Sequence, residues 1–198
     1  MPANTLLLKT KINAPPPRPH LIARPRLLSR LREGLSRPLT LIAAQAGFGK
    51  TTLVTSWLGE IRDQVKVAWL SLDEDDSDPM RFLYYLVATL QTVEPGVGRA
   101  PISLLGRLAM PGPRDLAAAL LNEITETQER IVLVLDDYHT IRDPEIHSAM
   151  TYFIERVPKQ LSVFVLTREE PPFPLARWRG LQRIVEIGPE ELRFSHDE

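Results

Sequence analysis

The strongest restriction on how this chain folds comes from a short loop with two glycines, followed by a lysine and a threonine. The loop has the sequence Ala44-Gln45-Ala46-Gly47-Phe48-Gly49-Lys50-Thr51 and lies between an apolar run and an amphipathic segment. It matches the pattern G-x-x-x-x-G-K-[ST] at every position except the first, where alanine replaces glycine. That replacement removes backbone freedom but no N–H donor, so the loop keeps the amides that bind anions at a helix N-terminus. The sequence therefore predicts a phosphate-binding loop, or P-loop.

Apolar runs and helical patterns alternate along the chain. Five runs predict β-strands, over residues 39–43, 67–71, 131–135, 161–166 and 183–187. The first four are nearly continuous in apolar residues, which is typical of parallel strands buried on both faces. Apolar residues at helical spacing predict helices over residues 26–36, 50–64, 79–93, 115–127 and 145–157, the third of them capped by Asp78.

This alternation predicts an α/β fold. We expect a three-layer P-loop NTPase with a central, mainly parallel five-stranded sheet of strand order 5-1-4-3-2. We expect residues 1–37 to form an N-terminal segment, residues 38–188 the core, and residues 189–198 the truncated start of a following helical region.

Composition argues against several classes of protein. The 198 residues hold 24 Lys and Arg against 25 Asp and Glu, which gives no electrostatic reason to expect nucleic-acid binding. The basic residues within 1–37 are predicted to form a solvated, amphipathic start. The lack of cysteine excludes disulfides and thiolate metal sites and fits a reducing compartment. No run approaches 18 apolar residues, so we expect a cytoplasmic protein with no membrane partner.

The P-loop side chains have expected roles in binding a nucleotide. Lys50 would reach the β- and γ-phosphates, and the Thr51 hydroxyl would bind Mg²⁺. The candidate phosphate-contacting residues are Gln45, Ala46, Gly47, Phe48, Gly49, Lys50, Thr51 and Thr52.

The third apolar run ends in two aspartates, as a Walker B strand does. Asp136 would hold Mg²⁺, and Asp137 would orient or deprotonate the attacking water. The fourth run ends at Thr167 and Arg168, where the guanidinium is placed to contact the γ-phosphate. The alternative for Arg168 is a surface ion pair with a neighbouring glutamate, Glu169 or Glu170.

Three other groups of residues favour structural roles. The acidic run over residues 73–78 lacks the spacing of an EF-hand loop and predicts a solvated loop. His139 and His147 have no third ligand nearby, which favours a structural role, such as a buried hydrogen bond, over metal binding. The tryptophans at 57, 69 and 178 lie in apolar stretches and predict packing.

An ordered set of motifs resembles the N-terminal ATPase of MalT-like regulators, the large LuxR-type ATP-dependent transcriptional activators of the STAND class. The set spans nearly the whole chain and is more specific than the P-loop alone. Gln45 departs from it, because the family often has proline there. The motifs are Leu8-Lys9-Thr10-Lys11, Ile22-Ala23-Arg24-Pro25-Arg26-Leu27-Leu28, Ala46-Gly47-Phe48-Gly49-Lys50-Thr51-Thr52-Leu53, Ala68-Trp69-Leu70-Ser71-Leu72-Asp73, Asp78-Pro79-Met80-Arg81-Phe82, Leu135-Asp136-Asp137-Tyr138-His139, Leu166-Thr167-Arg168-Glu169 and Glu191-Leu192-Arg193-Phe194-Ser195.

The resemblance implies an ATP/ADP switch. In such proteins ADP holds a closed resting state, ATP with an inducer favours an open, self-associating state, and slow hydrolysis resets the switch. It also implies that Ile22, Ala23 and Arg24, within the N-terminal segment, lie on the adenine side. The winged-helix, sensor and DNA-binding domains of the family are absent from this chain, so an inducer and DNA would be partners only through those domains.

Two alternatives remain open. A small-molecule or nucleotide kinase would need an arginine-rich lid, whereas residues 95–114 offer only Arg99, Arg107 and Arg114. A non-hydrolysing interaction module that binds ADP only to stabilise its fold would not need Lys50, Thr51, Asp136 and Asp137, which are all present.

Overall fold

A parallel β-sheet carries the fold. The structure, a computed structural model, describes residues 7–17, 22, 24–99 and 112–194. Ala23 and most of the 95–114 segment, including Arg107, lie outside the described residues. The strands are β1 (Leu39–Ala43), β2 (Lys66–Ser71), β3 (Ile131–Asp136), β4 (Leu161–Thr167) and β5 (Ile184–Ile187).

All neighbouring strands run parallel, in the order β2-β3-β4-β1-β5. This is the predicted order 5-1-4-3-2 viewed from the other edge, so the predicted fold class and strand order are confirmed. Because β1, β3 and β4 are adjacent and parallel, the loops that follow them meet at one edge of the sheet.

Helices cover both faces of this sheet. They are α1 (Pro25–Gly34), α2 (Lys50–Ile61), α3 (Pro79–Gln91), α4 (Pro113–Thr125), α5 (Pro144–Glu155), α6 (Leu175–Gly180) and α7 (Pro189–Leu192). Short 3₁₀-helices span Lys9–Ile12, Glu74–Ser77 and Tyr138–Thr140. The sequence predicted the first five helices to within a few residues but did not predict α6, which follows a proline-rich loop. In the described part of the chain, no helix is both long and apolar enough to cross a membrane.

Successive strand residues point into two separate apolar cores. Leu133 packs with α3, α4 and α5, whereas Val134 packs with α1 and α2 on the other face. The continuous apolar runs of the sequence follow from this burial on both faces. The tryptophans predicted to pack are all buried: Trp57, Trp69 and Trp178.

Proline at the first helical position marks where several helices begin. The carboxylate of Asp78 accepts a hydrogen bond from Arg81 N at 2.8 Å, as the sequence predicted, and Asp143 caps α5 in the same way. Such caps fix the first turn because its N–H groups have no partner inside the helix.

The prediction of a solvated acidic loop was wrong for one residue, Asp76. Asp76 is completely buried and accepts hydrogen bonds from Lys11 Nζ and from Arg81 Nε, the latter at 3.2 Å. The predicted solvated, amphipathic start holds for Lys9, Arg26 and Arg32, which are exposed, but was wrong for Lys11 and Arg24, which are both buried. A buried charged residue needs a partner elsewhere in the chain, a carboxylate for Lys11 and backbone carbonyl oxygens for Arg24, and such a partner leaves no mark on local composition.

Candidate nucleotide site

The P-loop leaves the sheet at the end of β1 and enters α2 at Lys50. Gly47 and Gly49 have φ angles of 86° and 76°, in the left-handed region where residues with a Cβ are strained. The two glycines thus allow the chain to curl back before the helix begins. The unpaired N–H groups of the first turn of α2 are therefore at the loop.

Lys50 is held inside the loop that precedes it. Its Nζ donates hydrogen bonds to the carbonyl oxygens of Ala44 at 2.6 Å and Gln45 at 3.1 Å. Burial lowers the pKa of Lys50, while the nearby carboxylates of Asp137 and Asp136 act in the opposite direction. A buried cation whose hydrogen bonds within the described residues go to neutral carbonyls is suited to bind an anion at this position.

Thr51 and Asp136, the two predicted Mg²⁺ ligands, are in direct contact. Thr51 Oγ1 donates a hydrogen bond to the Asp136 carboxylate, with distances of 3.0 Å to Oδ2 and 3.3 Å to Oδ1. Burial, followed by the charge of Asp137, raises the pKa of Asp136 to about 6. A desolvated carboxylate beside a hydroxyl is a hard oxygen donor pair that fits Mg²⁺, which is commonly held by few protein ligands together with substrate phosphates.

Asp137 lies at the sharp turn after β3. Its backbone has φ 56° and ψ 37°, and its side chain is 49% exposed. The exposed side chain leaves room for water beside the carboxylate. Asp137 and Gln182 are the two non-glycine residues with positive φ in the described ranges, and strained backbone of this kind clusters at functional sites.

His139 lies beside Asp137, with its Nδ1 3.8 Å from Asp137 Oδ1. That Nδ1 is buried and has no hydrogen-bond partner in the part of the chain that the structure describes. Burial, followed by the charge of Arg168, lowers the pKa of His139. The sequence suggested only a structural role for this residue, because nothing in its local pattern indicates that its ring faces the aspartate. His147 does have the expected structural bond, with its Nδ1 3.0 Å from the Tyr138 hydroxyl.

Arg168 follows β4 on the same edge of the sheet. Burial is the largest cause of the lowered pKa of both Lys50 and His139, and the charge of Arg168 acts in the same direction on each, so Arg168 lies near both groups. The alternative prediction, an ion pair with a neighbouring glutamate, is not observed among the described residues. Glu170 instead pairs with Arg179 at 2.8 Å.

A groove of about 620 Å³ continues from the P-loop towards the N-terminal segment. This volume lies in the range of about 300–1,000 Å³ that is usual for small-molecule sites. The groove brings together Ile22 and Arg24, predicted on the adenine side, with four P-loop residues: Gly47, Phe48, Gly49 and Thr52. Its other lining residues are Leu28, Leu53, Ser56, Glu60, Leu192, Arg193 and Phe194.

Four of the eight candidate phosphate-contacting residues do not line this groove: Gln45, Ala46, Lys50 and Thr51. Gln45 lines a separate cavity of about 260 Å³, together with Arg168 and Gly188, and Ala46 is exposed. The sequence also missed the contribution of the segment after β5, represented by Leu192 and Phe194. Within the described ranges, no group of three His, Cys, Asp or Glu residues is arranged to hold a metal.

Among curated proteins, this chain is similar to one region of transcriptional regulators. The chain is 34% identical over 193 residues to the HTH-type transcriptional regulators MalT of Klebsiella pneumoniae and, at the same identity, of Cronobacter sakazakii. The alignment covers 98% of this chain but 21% of each regulator, so the chain spans about a fifth of the length of these relatives. No family model matches the chain. The chain is therefore MalT-like over nearly its whole length, as the motifs predicted.

Solved structures share the fold at low sequence identity. A STAND protein with a tetratricopeptide repeat sensor from Pyrococcus horikoshii has a TM-score of 0.61 and 17% identity, covering 88% of this chain and 24% of that chain. The Cdc6p protein of Pyrobaculum aerophilum has a TM-score of 0.58 and 14% identity, covering 85% and 46%. A Walker-type ATPase of Pyrococcus abyssi has a TM-score of 0.52 and 16% identity, covering 93% and 58%. These similarities establish a P-loop ATPase fold.

Proposed function

Because the chain is MalT-like and has a P-loop ATPase fold, we propose that it is the ATP/ADP-binding switch domain of a signal-responsive transcriptional activator. The observation that carries this proposal is the contact between Thr51 and Asp136 beside the buried Lys50, after a loop whose glycines, Gly47 and Gly49, line a groove large enough for a nucleotide. These residues supply a cation and a hard oxygen pair where the P-loop would hold phosphates.

The binding chemistry follows from these positions. On binding, Lys50 would exchange its bonds to Ala44 and Gln45 for the β- and γ-phosphate oxygens, which are charged and therefore stronger acceptors. Thr51 and Asp136 would hold Mg²⁺, which neutralises phosphate charge when bound. Arg168 would approach the γ-phosphate from the end of β4, where it carries no competing ion pair to the two glutamates that follow it.

Hydrolysis would depend on Asp137. Its half-exposed carboxylate would orient a water molecule and accept a proton from it. At the same time, the water oxygen would bond to the γ-phosphorus, and the bond between that phosphorus and the leaving ADP would break. His139, 3.8 Å away, would orient that carboxylate. We propose slow turnover, because a regulatory switch needs an ATP-bound state that lasts long enough to signal.

The domain limits proposed from the sequence fit this function. Residues 38–188 would be the catalytic core, while parts of 1–37 and 189–198 complete the groove through Arg24 and Leu192. Inducer and DNA would be bound by other parts of a longer, cytoplasmic regulator, which would self-associate in the ATP state.

Two substitutions test the proposal. Lys50→Ala is expected to abolish ATP binding measured by calorimetry, whereas Lys159→Ala, which changes an exposed lysine, should leave it unchanged. Asp137→Ala is expected to keep ATP binding but lower single-turnover hydrolysis by about 10²- to 10⁴-fold. Undiminished ATP binding by the Lys50 variant would refute the nucleotide site. Absence of any single-turnover hydrolysis in the unmodified chain would favour a non-hydrolysing module.

A further inference from the structure

We propose that Phe194, supported by Arg24, is the residue on which the base of the nucleotide stacks. The proposal rests on the function proposed above and adds the residue that recognises the base, together with its ligand class, a purine ring. Phe194 is contributed by the segment after β5, which lies far from the P-loop in sequence.

The position of Phe194 is the first argument. Its ring lines the same groove as Gly47 and Gly49, so a ligand with its phosphates on the loop extends along the groove towards it. The rest of that end is largely apolar, with Ile22 and Leu192 among the lining residues. An apolar cleft that continues from an anion site matches a molecule with a charged tail and a flat, weakly polar ring.

The exposure of the Phe194 ring is the second argument. It is 64% exposed, although the other phenylalanines for which burial is described are at least partly buried. An exposed ring that borders a cleft offers a flat face on which a base can stack, and base stacking on aromatic side chains is a common mode of recognition. A purine offers more area to stack than a pyrimidine, which favours the purine class.

Arg24 fixes the position of this ring. Its guanidinium lies 4.5 Å from the Phe194 ring centroid, in a cation–π contact. The same group donates hydrogen bonds to the carbonyl oxygens of Leu192 at 2.8 Å and Arg193 at 2.5 Å, with a longer one to Glu191 at 3.4 Å. Arg24 therefore acts as a positioning residue, because it holds the backbone that carries Phe194.

This arrangement joins two segments of the chain that lie far apart in sequence. The bond from Arg24 to Leu192 spans 168 residues of sequence. Arg26, two residues further along the chain, also donates to the Glu191 carbonyl at 2.7 Å, which strengthens the attachment of this segment to α1. The stacking surface is complete only while the segment after β5 remains docked on α1, so base binding and docking of this segment stabilise each other.

A pair of ligands separates recognition of the base from recognition of the phosphates. The affinities of the 198-residue chain for Mg·ATP and for Mg-bound inorganic triphosphate, which lacks a base, are measured by calorimetry. Phe194→Ala is expected to weaken ATP binding by about 10-fold, within the range of about 5- to 150-fold that corresponds to loss of one aromatic stack. Triphosphate binding should stay within about twofold of its original value, since the altered side chain contacts only the base.

Further variants serve as controls. Arg24→Met, which keeps a long apolar stem without the donors, should weaken ATP binding in the same selective way. Phe194→Trp should retain ATP affinity because it keeps an aromatic face. Tyr84→Ala removes an exposed aromatic ring on α3, outside the groove, and should affect neither ligand.

Three results would overturn the inference. Unchanged ATP affinity in Phe194→Ala would show that the base lies elsewhere. Equal loss of ATP and triphosphate binding would show that Phe194 supports the loop and not the base. Failure of the unmodified chain to bind either ligand would refute the proposed function, and this inference with it.

Discussion

The buried carboxylate of Asp76 offers a quantitative test of how the N-terminal segment is fixed to the core. Asp76 is 0% exposed and accepts hydrogen bonds from Lys11 Nζ, from Arg81 Nε at 3.2 Å and from the Asp73 amide at 2.9 Å. Lys11 belongs to the 3₁₀-helix Lys9–Ile12 and is itself buried. Asp76→Ala therefore removes the main counter-charge of a cation that has almost no access to water.

The expected loss of stability follows from what remains around Lys11. Removing one partner of a buried ion pair costs about 3–5 kcal/mol. Lys11 keeps a second contact, to Asp73 Oδ2 at 2.8 Å, but that carboxylate is 52% exposed and compensates only in part. We therefore expect a loss of about 3 kcal/mol, near the lower end of that range, out of a total stability of about 5–15 kcal/mol for a typical domain.

Urea unfolding followed by circular dichroism measures this loss. With an m-value of about 2–3 kcal/mol per molar urea, the midpoint should fall by about 1–1.5 M while m stays constant. Asp75→Ala is the matched control, because its carboxylate is 79% exposed and 3.7 Å from Arg81, and it should cost at most about 1 kcal/mol. If Asp76→Ala and Asp75→Ala lower the unfolding free energy by the same small amount, the ion pair between Lys11 and Asp76 does not fix the N-terminal segment to the core.

Three further predictions concern the loop, the core and pH. Gly49→Ala should lower the unfolding free energy by about 1–2 kcal/mol, because alanine is strained at the φ of 76° that Gly49 adopts. The same substitution should lower the affinity for ATP, and an ATP affinity equal to that of the unmodified chain in calorimetry would contradict this prediction. Trp57→Ala should cost about 3–5 kcal/mol in urea unfolding, since the buried ring stacks on Phe164 at 5.2 Å. Burial lowers the pKa of His147 below its ordinary 6.5, so the unfolded chain binds more protons and stability falls as the pH falls through that range. When the pH is lowered from about 8 to about 5, the His147→Gln variant should lose less unfolding free energy, measured with urea, than the unmodified chain. Identical pH profiles for the two proteins would refute the lowered pKa of His147.

Much of the fold could be predicted because its signals are local. A strand buried on both faces must be nearly continuous in apolar residues, so β1 to β4 were evident from the sequence to within one residue at each end. The P-loop requires particular backbone angles and a lysine at fixed spacing, so Gly49 and Lys50 identify it without any tertiary information. The short helix α6 was missed because its six residues carry too little periodicity to separate it from the proline-rich loop before it.

The sequence by itself determined the order of elements, the P-loop and the aspartates after β3, because each depends on residues that are neighbours in the chain. Only the tertiary structure decided which charged residues are buried, that His139 lies beside Asp137, and that Arg24 holds the segment carrying Phe194. A charged side chain has the same local pattern whether water or a distant partner neutralises it. The difference appears only when folding brings residues as far apart as Arg24 and Leu192 into contact, 168 positions along the chain.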